Sequence, residues 1–245
     1  MEALGIDFGG SGIKGAVVNT EQGEFASERH RIPTPAPSTP DSVTDVVAEM
    51  VRTLAWSGPI GFTVPAVVKK NVAYSAANIH DTWIGTDAAQ LIQSKTGNVA
   101  LILNDADAAG IAEMRFGAGK GRDGTVMVLT LGTGIGSVIF ADGHIVPNTE
   151  LGHLEIRGKD CEVRASNRAR VEKDLSWKKW SKRLNEYLQY VEFLFSPDLF
   201  IIGGGVSKKH EKFFKYLDVK AEIVPAQLRN EAGIIGAAMA AQERE

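Results

Sequence analysis

The chain has 245 residues, a mass of 26.3 kDa and a formal net charge of -3. That balance excludes a globally basic nucleic-acid binder, so any anionic partner needs a local cluster of cations. Its one cysteine, Cys161, excludes an intrachain disulfide and a cysteine-rich metal site, and no apolar run is long enough to span a membrane.

Hydrophobic residues at 44 % and charged residues at 23 % fit an ordinary globular protein with a real core, in one large domain or two modest ones. The N-terminus has no basic leader region, which predicts a cytoplasmic location without membrane attachment.

The first predicted element is Leu4 to Val18, in which apolar residues flank the turn Gly9-Gly10-Ser11-Gly12. Asp7 precedes the turn and Lys14 follows it. Glycines without Cβ let backbone N–H groups close on an anion, and they permit the positive-φ turns such a cradle uses. Lys14 is followed by Gly15 rather than Ser or Thr, so this is not a Walker loop. The stretch reads as strand, phosphate-cradling turn, strand.

The proline-rich run Pro33 to Pro40 is expected to be extended and to end in a helix start. Thr39 serves as N-cap, Pro40 as first residue, and Val43, Val46, Val47, Met50, Val51 and Leu54 follow helical spacing. Ile60 to Val64 reads as a buried strand. Asn78 and Trp83 lie in a polar stretch before a helix from Asp87 to Thr96, closed by Gly97.

Val99 to Leu103 reads as another buried strand, ending in Asn104-Asp105-Ala106-Asp107. Carboxylates at the carboxyl end of such a strand stand where open α/β sheets place ligands. Asp105 comes directly off the strand and is the chemical candidate; Asp107 reads as the cap of a helix running to about Phe116. The loop from Gly117 to Arg122 reads as solvated and mobile, with Lys120 and Arg122 available to phosphate.

The opening pattern then returns. Val126 to Leu131 and Ile135 to Phe140 are predicted strands joined by Gly132-Thr133-Gly134. Leu199 to Ile202 leads into a third turn, Gly203-Gly204-Gly205. The first two instances lie about 125 residues apart, too far for a solenoid and right for a duplicated domain facing its copy across a phosphate-binding cleft.

Between them stand Glu150 and His153, then Cys161 and Glu162. Their spacing does not fit a zinc site, whereas carboxylates and imidazole suit sugar hydroxyls. Ser176 caps a long helix whose stripe of Trp177, Trp180, Leu184, Tyr187, Leu188, Val191 and Leu194 reads as core or subunit interface. Its Lys178, Lys179, Lys182 and Arg183 read as a solvated face. An alanine-rich helix, Ala232 to Gln242, closes the chain.

Taken together, these stretches resemble the ROK family (repressor, open reading frame, kinase) of sugar kinases, within the actin and hexokinase superfamily. The resemblance rests on Asp7 to Lys14, Asn78 with Trp83, Asn104-Asp105, Leu131 to Gly136, Glu150 to His153 and Gly203 to Gly205. Most members carry a cysteine-rich zinc motif after the Gly-His pair. Here Gly158-Lys159-Asp160-Cys161-Glu162 replaces it, which together with the proline-rich run looks like the polyphosphate glucokinase branch, polyphosphate/ATP glucomannokinases included.

The resemblance implies an α/β, two-domain, actin/hexokinase-like (ribonuclease H-like) fold with a cleft between the domains. The first domain would cover residues 1–104, completed by the helix at 232–245, and the second residues 105–231. It implies phosphoryl transfer from inorganic polyphosphate, with ATP as a second donor, to the 6-hydroxyl of glucose or mannose, commonly by a homodimer.

In this reading Asp105 is the general base, and Asn78, Asn104, Glu150, His153 and Glu162 hold the sugar with it. Gly9, Gly10, Ser11, Gly12, Lys14, Gly132, Thr133, Gly134, Gly204 and Gly205 grip phosphates, with Lys120, Arg122, Arg164, Arg168 and Arg170 as further cations. Asp7 organises Mg²⁺ directly or through water, and zinc is absent. The alternatives are a strictly ATP-dependent hexose or N-acetylmannosamine kinase, a sugar-sensing repressor and a non-catalytic sugar-binding module. A repressor is disfavoured because no helix-turn-helix precedes the first strand.

Overall fold

A computed structural model of the chain describes residues 1–76 and 78–242. The chain packs as two compact units: Met1–Ala112 with the segment from Glu231 onward, and Glu113–Asn230. The division falls within one helix, Asp105–Phe116.

In the first unit, β1 (Glu2–Gly9) and β2 (Gly12–Asn19) form an antiparallel hairpin in which Gly9 faces Gly12. The short strands β3 (Glu24–Phe25) and β4 (His30–Ile32) both pair with β2. Helix α1 (Pro40–Thr53) follows, with the Thr39 hydroxyl accepting from Ser42 N as the sequence predicts. Next come β5 (Ile60–Val64), the small hairpin of β6 (Val68–Lys69) and β7 (Val72–Ala73), helix α2 (Ala88–Thr96) and β8 (Ala100–Asn104). The main path of the sheet is β3-β2-β1-β5-β8, and β1, β5 and β8 run parallel. Helix α3 (Asp105–Phe116) leaves the last of these directly.

The second unit repeats this wiring. β9 (Thr125–Leu131) and β10 (Ile135–Ala141) form the hairpin, and β11 (His144–Thr149) pairs with β10. After the two-residue strands β12 (Glu155–Ile156) and β13 (Lys159–Asp160) come helices α4 (Cys161–Ala165), α5 (Asn167–Glu172) and α6 (Trp177–Phe195). Then β14 (Leu199–Gly203) and β15 (Glu222–Pro225) run parallel to β9, giving the order β11-β10-β9-β14-β15. The duplicated halves expected from the repeated glycine turns are therefore present as two sheets of the same topology.

The last helix, α7 (Ala232–Gln242), packs on β1 and β5 of the first unit. A side chain on Gly5 would stand 1.9 Å from the Ile234 carbonyl oxygen, and one on Gly61 1.8 Å from that of Ala237. Two missing side chains on the sheet thus admit the helix backbone.

Each unit has its own core. In the first, Phe8, Phe62 and Trp83 cluster with ring centroids 5.6–6.4 Å apart, and the indole of Trp83 donates to Ser38 O. In the second, Trp180, Leu184, Tyr187, Leu188 and Val191 of α6 are fully buried, with Leu184, Leu188 and Val191 each contributing about 1.5–3 kcal/mol relative to exposure. Of the stripe read as core or interface, these five residues are core, Trp177 is half-buried and Leu194 is exposed. Among the described residues no helix is long and apolar enough to cross a membrane.

Two local expectations are corrected. Asp107 does not cap α3: the Asn104 carboxamide oxygen accepts from Ala106 N at 2.7 Å and Asp107 N at 3.2 Å, so the cap is Asn104. The loop at Gly117 to Arg122 is exposed at Lys120, Gly121 and Arg122, as expected of a solvated loop, but it is braced at both ends. Buried Glu113 accepts from Ala118 N, and Arg122 donates to both oxygens of Glu222 at 2.7 and 2.9 Å.

Candidate active site

In the first unit, three parallel strands deliver polar groups at their carboxyl ends. Asp7 of β1 pairs in register with Thr63 of β5, and Asn104 closes β8. The Thr63 hydroxyl donates to Asp7 Oδ1 at 3.3 Å and accepts from Phe8 N at 3.1 Å, while Lys14 Nζ lies 3.2 Å from Asp7 Oδ2. Asp7 is thus held on both oxygens before any ligand arrives.

The turn beyond it is also braced. Thr34 donates to Gly9 O at 2.6 Å and Arg31 to Ser11 O at 2.8 Å, so two carbonyl oxygens of the turn are already engaged. Gly9, Gly10 and Gly12 do not adopt positive φ, contrary to expectation. What Gly10 supplies is room, since a side chain there would meet nothing within 4 Å. Gly132 in the second unit behaves identically. A glycine required by neither backbone nor packing leaves space for a ligand.

Asp105 is half-buried at the first position of α3, where the helix N-terminus favours a negative charge. Asn104 is more committed than a free sugar ligand would be. Its carboxamide oxygen caps the helix and its nitrogen donates to Ala66 O at 3.0 Å, leaving one N–H for another partner. Asn78 is exposed on the segment leading to the turn Asp81–Trp83.

In the second unit, the sugar-side candidates gather. Buried Ser137 accepts from Leu151 N at 3.0 Å and donates to Thr149 O at 2.7 Å, fixing the chain on either side of Glu150. Gly152 lets the turn Leu151–His153 lie against β10, because a side chain would stand 2.3 Å from Ile135 O. Glu162 of α4 reaches the glycine turn: its Oε2 accepts from Ile135 N at 3.4 Å and crowds the position a Gly134 side chain would take. Trp180 holds α4 there, its indole donating to Ala165 O at 2.9 Å and Ser166 O at 3.1 Å.

His153 lies between carboxylates. Its Nδ1 is 3.0 Å from Asp160 Oδ2, and its Nε2 is 3.8 Å from Glu150 Oε2. The hydrogen bond to Asp160, with Glu162 and Glu150 nearby, raises the imidazole pKa above its ordinary value despite partial burial. Burial, reinforced by Glu162 and opposed by His153, raises the Glu150 carboxyl.

Gly204 is the one glycine of these turns with a left-handed backbone, at φ 79°. A side chain there would also stand 2.5 Å from Leu131 O, so the third turn closes directly over the end of β9. Gly205 faces open space, and Ser11 and Thr133 are exposed.

Several predicted cations are already engaged. Lys14 pairs with Asp7, Arg122 with Glu222 and Arg164 with Glu186, while Arg170 stacks on Trp177 at 4.2 Å. Arg168 lies on α5, where its backbone N–H donates to Gly132 O at 3.1 Å, and Lys120 is exposed.

Arg31, Thr63 and Asp160 escape the sequence reading. Thr63 had a signal, a hydroxyl inside the buried run Ile60 to Val64. Arg31 is revealed only by the register that sets it opposite Lys14. Among the described residues no group of three or more His, Cys, Asp or Glu side chains is arranged to hold a metal ion. Burial pushes the Cys161 thiol up to about 11, which disfavours the thiolate a metal needs.

The family model of the ROK family matches residues 3–172. Polyphosphate glucokinase of Mycobacterium tuberculosis (strain CDC 1551 / Oshkosh) is 47 % identical over 238 residues, covering 97 % of this chain and 90 % of the relative. Among solved structures, the inorganic polyphosphate/ATP-glucomannokinase from Arthrobacter sp. strain KM is 48 % identical, with a TM-score of 0.96 over 100 % of this chain and 99 % of that one. A ROK family glucokinase from Streptomyces griseus, in complex with glucose and AMPPNP, is 24 % identical and shares the fold, with a TM-score of 0.86 over 99 % and 100 % of the two chains. With these similarities spanning both units, the chain belongs to the ROK family of two-domain, actin/hexokinase-like proteins.

Proposed function

We propose that the protein is a polyphosphate-dependent glucokinase, moving a phosphoryl group from inorganic polyphosphate, and also from ATP, to the 6-hydroxyl of glucose or mannose. The observation that carries this reading is the doubled hairpin with open space at Gly10 and Gly132, in a chain 47 % identical to polyphosphate glucokinases. Retention of the Gly203 to Gly205 turn supports ATP as a second donor.

Phosphoryl transfer asks the protein chiefly for positioning and charge neutralisation. Asp105 accepts the proton of the attacking hydroxyl as that oxygen bonds to the terminal phosphorus. The bond from that phosphorus to the rest of the donor breaks, and the chain leaves one phosphate shorter. Glu150, His153 and Glu162 orient the sugar hydroxyls, assisted by Asn78 and the remaining N–H of Asn104. The amides and hydroxyls of Gly9 to Gly12 and Gly132 to Gly134, with Gly204 and Gly205, hold the phosphates.

Mg²⁺, when bound, supplies charge neutralisation at the phosphate oxygens. Asp7 suits holding it through water, because both of its oxygens already have protein partners and this ion keeps much of its hydration. A second copy of the chain is the proposed cover for the end of α6, where Tyr190, Phe193 and Leu194 are exposed, Phe193 by 80 %. A reducing cytoplasm suits the unpaired Cys161.

The test is incubation with glucose, Mg²⁺ and either donor, followed by assay for glucose 6-phosphate. Formation with polyphosphate and no nucleotide is the expected result. Formation only with ATP replaces this reading with the ATP-dependent one.

A further inference from the structure

A polyanionic donor needs cations beyond the glycine turns, and many near those turns are engaged. A denser group stands elsewhere in the second unit. A cavity of about 700 Å³, open to solvent, is lined by Arg157, Lys159, Arg164, Lys173, Lys182 and Arg183, of which Arg157, Lys159, Lys173 and Lys182 are exposed. Among the described residues its one acidic wall residue is Glu186, which is committed to Arg157, at 2.7 Å, and to Arg164. The remaining charge is strongly positive in a chain that is net acidic.

Lys178, Lys179 and Lys182 are exposed, as the sequence predicts for a solvated helix face, but Lys182 and Arg183 do not stand alone there. Lys182 and Arg183 come from α6, Arg164 from α4, Lys173 from the end of α5, and Arg157 and Lys159 from the β12–β13 hairpin. Four segments therefore bring like charges onto one wall. Burial first, then Arg183 and Lys159, opposed by Glu172, and then Arg164 lower the Lys173 pKa, and Lys173 Nζ donates to Val163 O. Repulsion of this kind is relieved by a bound anion.

The cavity also has a definite relation to the phosphate turn of its own unit. Helix α4 carries Glu162, which lies against Gly134, and two residues later Arg164, which lines the cavity. Two residues turn a helix by about 200°, so these side chains leave opposite faces of α4.

We propose that this cavity is a second anchoring site for inorganic polyphosphate, gripping chain phosphates beyond the one transferred. The proposal rests on the donor reading above. Its wall is rich in cations and, among the described residues, has no aromatic side chain on which a base could stack, which favours polyphosphate over nucleic acid. Chain length, and not the terminal phosphate alone, then sets donor affinity.

The test uses Lys173→Glu/Lys182→Glu and the milder Lys173→Ala/Lys182→Ala, with thermal melting to confirm folding. Long-chain polyphosphate and tripolyphosphate are compared as ligands in direct binding and as donors. For the charge-reversed variant, long-chain affinity should fall at least about tenfold, while tripolyphosphate and glucose constants hold within about twofold. The slope of log affinity against log salt should flatten by about two in the double alanine variant.

Unchanged long-chain affinity in a folded variant, or equal loss for both chain lengths, overturns the proposal. So does an RNA oligonucleotide that binds wild type more tightly than polyphosphate and loses affinity in the variant. The two readings fail separately. Wild type that binds long chains through these lysines but never transfers from them keeps the anchoring site and sinks the donor assignment. Turnover of polyphosphate with no chain-length effect does the reverse.

Discussion

Asp160 fixes the ring of His153, its Oδ2 lying 3.0 Å from Nδ1. A carboxylate at Nδ1 assigns the proton there in the neutral ring, so Nε2 carries the lone pair on the side of Glu150. Asp160→Asn should leave the fold intact, raise the KM for glucose roughly tenfold and change kcat less, the scale on which loss of an orienting partner is felt at metal-bound imidazoles. The His153 titration, followed by NMR, should move down. Because folding raises this pKa, its contribution to stability is present below the ordinary histidine value and is lost as pH rises through the raised one. An unmoved titration midpoint contradicts the positioning role.

Asp105→Asn removes the proposed base while keeping a similar shape at the start of α3. Turnover should fall by about 10²–10⁴, with sugar affinity largely retained. A purified variant with near wild-type kcat would show that another group takes the proton.

The two kinds of turn glycine should separate cleanly. Gly204→Ala forces a left-handed backbone on alanine and a 2.5 Å approach to Leu131 O, so stability should fall by about 1–3 kcal/mol or more. Gly10→Ala meets no protein atom within 4 Å and should leave stability within about 0.5 kcal/mol. It should instead raise the donor KM. A Gly10→Ala protein with unaltered donor kinetics removes the phosphate role from this turn.

Elemental analysis of protein purified without chelator should find no tightly held zinc, because a closed structural site needs four ligands and the one cysteine is buried. Activity lost on chelation should return with Mg²⁺ alone. One zinc retained per chain contradicts this expectation.

Much of the fold was legible because local signals and tertiary structure agree. Thr39-Pro40 starts α1, Gly97 at φ 78° ends α2, and the two glycine hairpins announce two sheets of the same wiring. What stayed hidden depends on distant partners. Asn104 displaces Asp107 as the cap because two backbone amides reach its carboxamide. Arg122 meets Glu222 across 100 residues. Lys182 and Arg183 form the solvated helix face the sequence predicts, but that α4, α5 and a two-strand hairpin add cations beside it is visible only in the fold. The candidate site was read as residue types, but the braces around those residues, Thr63, Arg31 and Asp160, are products of register and chain reversal.

The most direct measurement is a donor-by-sugar rate matrix on the purified protein with Mg²⁺, pairing polyphosphates of several lengths and ATP with glucose and mannose. Glucose 6-phosphate formed from polyphosphate without nucleotide, with matching shortening of the chain, is the predicted result. Full turnover with ATP and none with polyphosphate at any length would contradict the account.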